Sequence, residues 1–414
     1  MRYLYSVLFF VAIPLIVLRL LWKSIRFPVY RTRISERFAL KPALKQPVDV
    51  WVHAVSLGEV IAASPLIEKL LEKNQRVMVT TTTPTGSVKI IDSFGDKIEH
   101  QFLPYDLMVL QRRFLRQIKP GKVIIIETEL WPNLLTAVKR SNIPLLLMNA
   151  RLSEKSMKGY QKIKAIIKPA LACFTKILAQ SEEDAKRFLI LGAESTQVQV
   201  VGNIKFDRPP LSANDLTEIQ EAVKHLGASK FIWLAASTHH NEEQLLLDTF
   251  TKLKAEIPEL VLMVAPRHPE RFQDIINLMQ GSNFKTGTRS QSKEWNPDMD
   301  IIVLDSMGEL SNFYFVSDLA FVGGSLVPIG GHNMLEPVQA GVPVICGNHL
   351  HNFQAISRDL LSADAMEIVN SPEELTEKVL SLYKNKKRRQ EMADNAREVL
   401  ESNRGALDIY LSFC

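Results

Sequence analysis

The chain has 414 residues, more than one hydrophobic core usually serves, so two domains with a cleft between them are expected. Its formal charge of +5 is modest for that length, while Lys and Arg crowd the region from Arg2 to Arg37; this pattern argues against nucleic acid as a partner and for anionic membrane lipid. Cys173, Cys346 and Cys414 lie in unrelated apolar or terminal settings without C-x-x-C spacing, which indicates neither a disulfide framework nor a thiolate metal site and suits a reducing compartment.

From Leu4 to Leu18 the chain carries no charge, and Leu20, Leu21 and Trp22 extend the apolar stretch past Arg19. A helix crossing the hydrocarbon core needs about 20 residues, with basic side chains able to snorkel at its ends. The segment is barely long enough. Arg19, Lys23, Arg26, Arg31, Arg33 and Arg37 stand against Arg2 alone at the other end, so the positive-inside rule predicts an anchor over residues 1–24 with the body of the protein in the cytoplasm. A cleavable signal peptide fits less well, because the positive charge lies mainly after the apolar run and no small-residue cleavage pattern follows.

A βα alternation then continues to the end. Strands are predicted at Val48–Val55, Val77–Thr81, Val123–Ile126, Leu145–Met148 and Ile177–Ala179, and again at Phe231–Ala235, Val261–Ala265, Ile301–Leu304, Leu319–Val322 and Val342–Cys346. Parallel sheets covered by helices on both faces read this way, so the fold class is α/β, with two doubly wound Rossmann-like domains. The polar, Pro-containing passage Asp207–Ser212 marks the boundary, giving one α/β domain over residues 25–207 and another over 208–414. The stretch Pro372–Cys414 reads as helical throughout, and such a tail can cross back onto the first domain.

Chemistry-bearing residues gather where predicted strands end. In Trp51–Val60, Gly58 is read as ending the strand and Glu59 as opening a helix, where a carboxylate is stabilised as an anion at the sheet's carboxyl edge. Glu59 is a candidate general base, or simply a complement to the helix dipole. His53 reads as a satisfied core residue. The loop Thr80–Ser87 is rich in hydroxyls and serves either helix capping or sugar contact. Glu127 and Glu129, at the end of an apolar strand, are expensive unless solvated, paired or used, and Glu129 is the better functional choice. Trp131 is expected to pack in the core.

Lys205 either reaches an anionic substrate group or pairs with Asp207. The adjacent His239 and His240 point apart and lack partners at metal-ligand spacing, so no metal site is expected. Arg267 suits bidentate bonds to phosphate or carboxylate, with pairing to Glu270 as the alternative. The turn Met307–Gly308–Glu309–Leu310 offers backbone groups to a base edge. In the run from Gly323 to Gly347, four glycines (Gly323, Gly324, Gly330 and Gly331) let backbone N–H groups approach an anion. Asn333 can cap a helix starting near Met334, and Glu336, one turn inside, can accept two ribose hydroxyls; tight turns and a solvated acid are the plainer reading. Residues 348–353 add polar side chains for a lid or sugar contact.

Taken in order, HAVSLGE, ETELWPN, GNIKFD, PRHPERF, MGEL and GGHNMLEP resemble the 3-deoxy-D-manno-octulosonic acid (Kdo) transferases of Gram-negative lipopolysaccharide synthesis, over nearly the whole chain including the anchor. The last motif alone occurs in many nucleotide-sugar glycosyltransferases, whereas the six together are specific. The resemblance implies a GT-B fold and a metal-independent, cofactor-free, inverting transfer of Kdo from CMP-Kdo to lipid A precursor at the cytoplasmic face of the inner membrane. It also implies roles: Glu59 as general base, Glu129 and Lys205 as transition-state support, and Pro266, Arg267, Met307, Gly308, Glu309, Asn333, Met334, Leu335 and Glu336 as CMP contacts. Family members often carry Val where this chain has Leu57, a change that keeps the apolar character. Two rival classes share parts of the pattern. A sugar-nucleotide 2-epimerase would need no anchor, and a membrane-tethered nucleotide-sugar-binding protein would need no catalytic carboxylate.

Overall fold

The computed structural model describes residues 1–26, 33–207, 213–227, 229–291 and 295–414; Arg31 and the predicted linker residues 208–212 lie outside the described residues. The chain forms two compact units, Met1–Arg208 together with Asn403–Cys414, and Pro209–Ser402.

The first unit is built on seven parallel strands, β1 (Val50–His53), β2 (Val77–Thr81), β3 (Glu99–Phe102), β4 (Lys122–Ile126), β5 (Leu145–Ala150), β6 (Lys176–Ala179) and β7 (Val198–Val200), in the order β3-β2-β1-β4-β5-β6-β7. The chain winds outward from β1 to β3, then returns to β4 and winds the other way. This makes the β1/β4 boundary the topological switch point, and ligands of open α/β sheets bind outside the carboxyl ends of the strands at such a point. Ala54–Glu59 and Glu127–Glu129 leave the sheet there. Side chains alternate across the sheet: Trp51 packs on Phe114, Leu134 and Phe174 on one face, while Val50 and Val52 pack with Leu66, Ile124 and Tyr410 on the other.

The second unit repeats the plan with β8 (Phe231–Thr238), β9 (Leu260–Pro266), β10 (Thr286–Thr288), β11 (Ile301–Val303), β12 (Leu319–Val322), β13 (Val344–Gly347) and β14 (Met366–Val369), in the order β10-β11-β9-β8-β12-β13-β14. Its switch point lies between β8 and β12, whose carboxyl ends carry Ser237–Asn241 and the glycine loop from Gly323. Each strand expected from the sequence is present, Val77–Thr81 and Leu319–Val322 with the expected bounds and the others with shifted ends. Strands β3, β7, β10 and β14 were not expected.

The last twelve residues, Asn403–Cys414, belong to the first unit. Their helix Ala406–Ser412 is pinned by Asp207, whose carboxylate accepts the Gly405 and Leu407 N–H groups at 2.6 and 2.7 Å, and by the Tyr410 hydroxyl, which donates to the Gly202 carbonyl at 2.7 Å. At the other end of the chain, the helix Arg2–Arg26 contains a stretch, Arg2–Leu20, with mean hydropathy 2.1, long and apolar enough to cross a membrane.

Candidate active site

Glu59 is fixed by the way its helix starts. The helix is Leu57–Glu72, so Gly58 lies within its first turn rather than ending the strand, which stops at His53. Ser56 is the cap: its Oγ accepts the Glu59 N–H at 3.4 Å, and its hydroxyl donates to Glu59 Oε1 at 2.8 Å. The Ser56 backbone N–H also donates to the Glu59 carboxylate, completing the capping box that S-x-x-E spells. The Val55 N–H donates to the second carboxylate oxygen at 2.7 Å, so both oxygens are held and the group cannot swing away. Burial pushes the Glu59 carboxyl up to about 7, with the charge of Glu127 adding to the rise and the three hydrogen bonds opposing it. A carboxylate poised near neutrality is what general-base work requires.

Glu127 and Glu129 stand at the neighbouring strand end. Glu127 takes a left-handed backbone, φ 61°, which turns the chain sharply after β4, and its carboxylate pairs with the Lys205 ammonium at 3.1 Å. Burial raises Glu129 to about 7 as well, followed by the charges of Glu59 and Glu127, while Trp131 donates its indole N–H to Glu129 Oε2 at 2.6 Å. The structure therefore brings Glu59, Glu129 and Lys205 into one electrostatic cluster. It adds Glu127, which the sequence reading ranked below Glu129 and which supplies Lys205's carboxylate partner. Asp207, the partner considered for Lys205, is occupied by the C-terminal helix.

The hydroxyl loop serves structure. Thr83 caps the helix Pro84–Phe94 by accepting the Gly86 N–H, and Thr82 and Thr83 both donate to the Val55 carbonyl, bracing the segment that carries Glu59. His53 is fully buried, is bonded through Nδ1 to Thr80 Oγ1 at 2.8 Å, and is pushed down to about 4 by burial, so its ring is neutral. Trp131 packs against the core as well as holding Glu129.

In the second unit the glycine loop departs from expectation. Of the four glycines only Gly324 turns its N–H to a carboxylate, and that carboxylate is this chain's own Glu242; Gly323 donates to the Ala236 carbonyl, and Gly330 and Gly331 donate to the Gly324 carbonyl. That fully buried carboxylate accepts the N–H groups of His239, Gly324, Ser325 and Leu326 at 2.9, 2.7, 3.1 and 3.0 Å. Gly324 can point its N–H this way because it adopts φ 67°, and a Cβ on Gly323 would fall 2.5 Å from the Ser237 carbonyl oxygen. Asn352 clamps the same loop, donating its N–H to the Gly330 carbonyl at 3.0 Å, so the 348–353 segment is fastened to the glycines.

Beside this loop, Arg267 follows β9 and is half-buried, with no carboxylate within ion-pair distance among the described residues; Glu270 lies by His268 instead, at 3.8 Å. His239 and His332 stack at 4.9 Å with their Nε2 atoms 2.7 Å apart, and His268 meets His239 edge-on at 5.2 Å. Burial, then the Arg267 charge, pushes His332 down to about 3, so the facing nitrogens share one proton as donor and acceptor. Sequence reasoning saw His239 only as a rejected metal ligand; nothing in the spacing links it to His332. Among the described residues no group of three or more His, Cys, Asp or Glu side chains could hold a metal ion.

Asn333 Oδ1 accepts the Leu335 N–H at 3.2 Å and its Nδ2 donates to Glu336 Oε1 at 3.0 Å, so it orients the carboxylate from one residue before the N-cap, which is Met334 rather than Asn333. The helix that follows, Leu335–Gln339, is a single short turn, and Met334 and Leu335 are buried, leaving their side chains to the core. Pro266 closes β9. Met307 is exposed and Gly308 has φ 89°, while Glu309 is gripped by Arg289 at 2.9 and 3.2 Å and by the Ser306 hydroxyl. Arg289 follows the edge strand β10 and gave no sequence signal.

Residues 32–208 match the family described as 3-Deoxy-D-manno-octulosonic-acid transferase (kdotransferase), and residues 217–399 match Glycosyl transferases group 1. A 3-deoxy-D-manno-octulosonic acid transferase of Haemophilus influenzae is 39% identical over 413 residues, covering 98% of this chain and 96% of the relative. Two solved structures share the fold: a glycosyltransferase from Rickettsia africae, 17% identical with a TM-score of 0.59 over 89% of this chain and 98% of that one, and UDP-GlcNAc 2-epimerase from Neisseria meningitidis, 14% identical with a TM-score of 0.59 over 88% and 98%. The fold is thus GT-B-like, and it is shared by transferases and epimerases, so the sequence relationship decides between them: the chain belongs to the 3-deoxy-D-manno-octulosonic-acid transferase family of glycosyltransferases.

Proposed function

We propose that the chain moves Kdo from CMP-Kdo to a lipid A precursor by a single inverting displacement, with Glu59 as the base. The observation that carries this reading is the Glu59 carboxylate, held by both oxygens at a switch point and titrating near 7. Glu59 takes the proton of an acceptor sugar hydroxyl, that oxygen bonds to the anomeric carbon of Kdo, and CMP leaves with the electrons of the broken bond. Arg267 meets the charge that develops on the departing phosphate, and Glu336, oriented by Asn333, accepts the ribose hydroxyls. Met307–Glu309 meet the cytosine ring of CMP, and Pro266, Met334 and Leu335 shape the CMP pocket. Glu129 and Lys205 support the transition state. With positive charge supplied by fixed side chains and N–H groups, the transfer needs no divalent ion, and no cofactor takes part. The N-terminal helix holds the enzyme at the inner membrane, the catalytic units on the cytoplasmic side and the basic side chains against anionic lipid.

Purified protein, CMP-Kdo and lipid A precursor supply the test. Transfer should proceed in EDTA and yield the inverted anomer. Glu59→Gln, which keeps the size and the hydrogen-bond reach but cannot take a proton, should lose transfer by at least about a hundredfold while binding CMP as before. Near-normal turnover by this variant would remove Glu59 from the role of base.

A further inference from the structure

The N-terminal helix Arg2–Arg26 is docked on the first unit. Its less exposed positions include Tyr5, Phe9, Ala12, Ile13, Ile16 and Leu20, a three-and-four spacing that makes one stripe along the helix. Leu4, Val7, Leu8, Val11, Leu15 and Leu18, on the other side, are exposed. The docked stripe carries specific polar contacts. Tyr5 donates its hydroxyl to Asp106, a buried carboxylate that also accepts the N–H groups of Asn133 and Leu134 at 3.1 and 2.7 Å. The Ser6 hydroxyl and the Asn133 side-chain amide exchange bonds at 3.1 and 2.9 Å, and Phe9 meets Trp131 edge-on at 6.5 Å.

These contacts are incompatible with a helix that crosses the bilayer. At 1.5 Å per residue, Ser6 lies about 30 Å from Arg26, the thickness of the hydrocarbon core. With the basic end at the cytoplasmic headgroups, a spanning helix would carry Tyr5 and Ser6 to the far leaflet, where Asp106 and Asn133, buried in the folded first unit, cannot follow. We propose instead that Arg2–Arg26 is an in-plane membrane element, latched to the first unit through Tyr5–Asp106, Ser6–Asn133 and Phe9–Trp131, with its opposite face sunk in the cytoplasmic leaflet. The occupant of that face is lipid: the exposed stripe is apolar from Leu4 to Leu18, exposed Arg19 follows at its edge, and the helix Met108–Ile118, which begins just after Asp106, adds exposed Val109 and the exposed cations Arg112, Arg113 and Arg116 for anionic headgroups. The latch ends on Trp131, which holds Glu129, so it sets that carboxylate at the lipid boundary from which a membrane-borne acceptor arrives. This inference rests on the membrane reading proposed above.

The test is a disulfide between Ser6→Cys and Asn133→Cys, formed by mild oxidation in native membranes in a Cys414→Ser background, together with a short polar tag before Met1 probed by a membrane-impermeant reagent. The expected result is an intramolecular cross-link in the membrane fraction, absent from either single variant, and a tag reached only in inside-out vesicles. Membrane-bound protein without the cross-link and with its tag reached in intact spheroplasts would overturn the in-plane arrangement and leave the anchor standing. Protein recovered from the soluble fraction would overturn the anchor itself and the arrangement with it. Cross-linked dimers from Ser6→Cys alone would assign the face to a second copy. If Asn133→Cys does not fold, Phe9→Cys with Trp131→Cys replaces the pair, and the tag reads the otherwise unaltered chain.

Discussion

At the scale of single residues, the site turns on how burial and neighbouring charge set the Glu59 carboxyl. A base must be ionised to take a proton, so transfer should be lost at acid pH and rise as the solution passes through about 7, the value to which burial and Glu127 push Glu59. The sign of the neighbour effect can be checked. Lys205→Met removes the cation that offsets Glu127, leaving that negative charge to disfavour ionised Glu59; the acid limb of the rate profile should therefore move to higher pH. An unmoved limb would show that Lys205 acts only elsewhere. Glu336→Gln tests the other unit. It should weaken CMP binding by about 1.5–3 kcal/mol, the worth of charge-assisted ribose hydrogen bonds, whereas Glu59→Gln should not. Calorimetric titration of CMP into both variants separates binder from base. That Glu59 opens a helix after a strand was legible; the Ser56 cap that fixes it was not read, although S-x-x-E is a local signal completed within four residues. The Lys205–Glu127 pair and the Arg289 grip on Glu309 were not legible, because they join positions far apart in sequence, 78 and 20 residues.

At the scale of elements, the strands missed in the sequence share one property: β3, β7, β10 and β14 are the outer strands of the two sheets. A central parallel strand is buried on both faces and must be a run of apolar residues, whereas an edge strand is partly open and can be written as Glu99–Phe102 or Thr286–Thr288. Sheet type and winding were thus legible from the inner strands, and sheet width was not. The glycine loop shows the opposite error. Its composition suggested close approach to an anion, yet only the Gly324 N–H meets a carboxylate, and composition says nothing of where that carboxylate comes from. Because Glu242 is that anion, the loop's shape depends on it. Glu242→Gln, which replaces one acceptor oxygen by a donor facing N–H groups, should destabilise the second unit by about 1–3 kcal/mol, read as a lowered midpoint in urea. Unchanged stability would mean the loop holds its shape without the carboxylate.

At the scale of the whole molecule, the residues proposed for the chemistry divide by unit: Glu59, Glu127, Glu129 and Lys205 belong to the first, Arg267, Glu309 and Glu336 to the second. The first unit is completed by residues from both ends of the chain, since Asn403–Cys414 fold into it after the second unit has been traversed. That segment is part of a core. Tyr410 and Ala406 are buried with Val52, Leu66 and Ile124, the Lys122 ammonium holds the Phe413 and Cys414 carbonyls, and Asp207 caps the final helix. Losing one buried aromatic of this kind costs about 3–5 kcal/mol in large-to-small core substitutions, and deletion also strands the Asp207 carboxylate. Removing residues 403–414 should therefore unfold or markedly destabilise the first unit and abolish transfer. Among the described residues the buried clusters of the second unit contain nothing from 403–414, so CMP should bind the truncated protein about as well as the full chain. Titration with CMP, alongside thermal unfolding followed at two wavelengths, distinguishes the outcomes. If CMP binding fell together with transfer, the two units would not be independent in stability, and the donor residues would need the first unit to keep their shape.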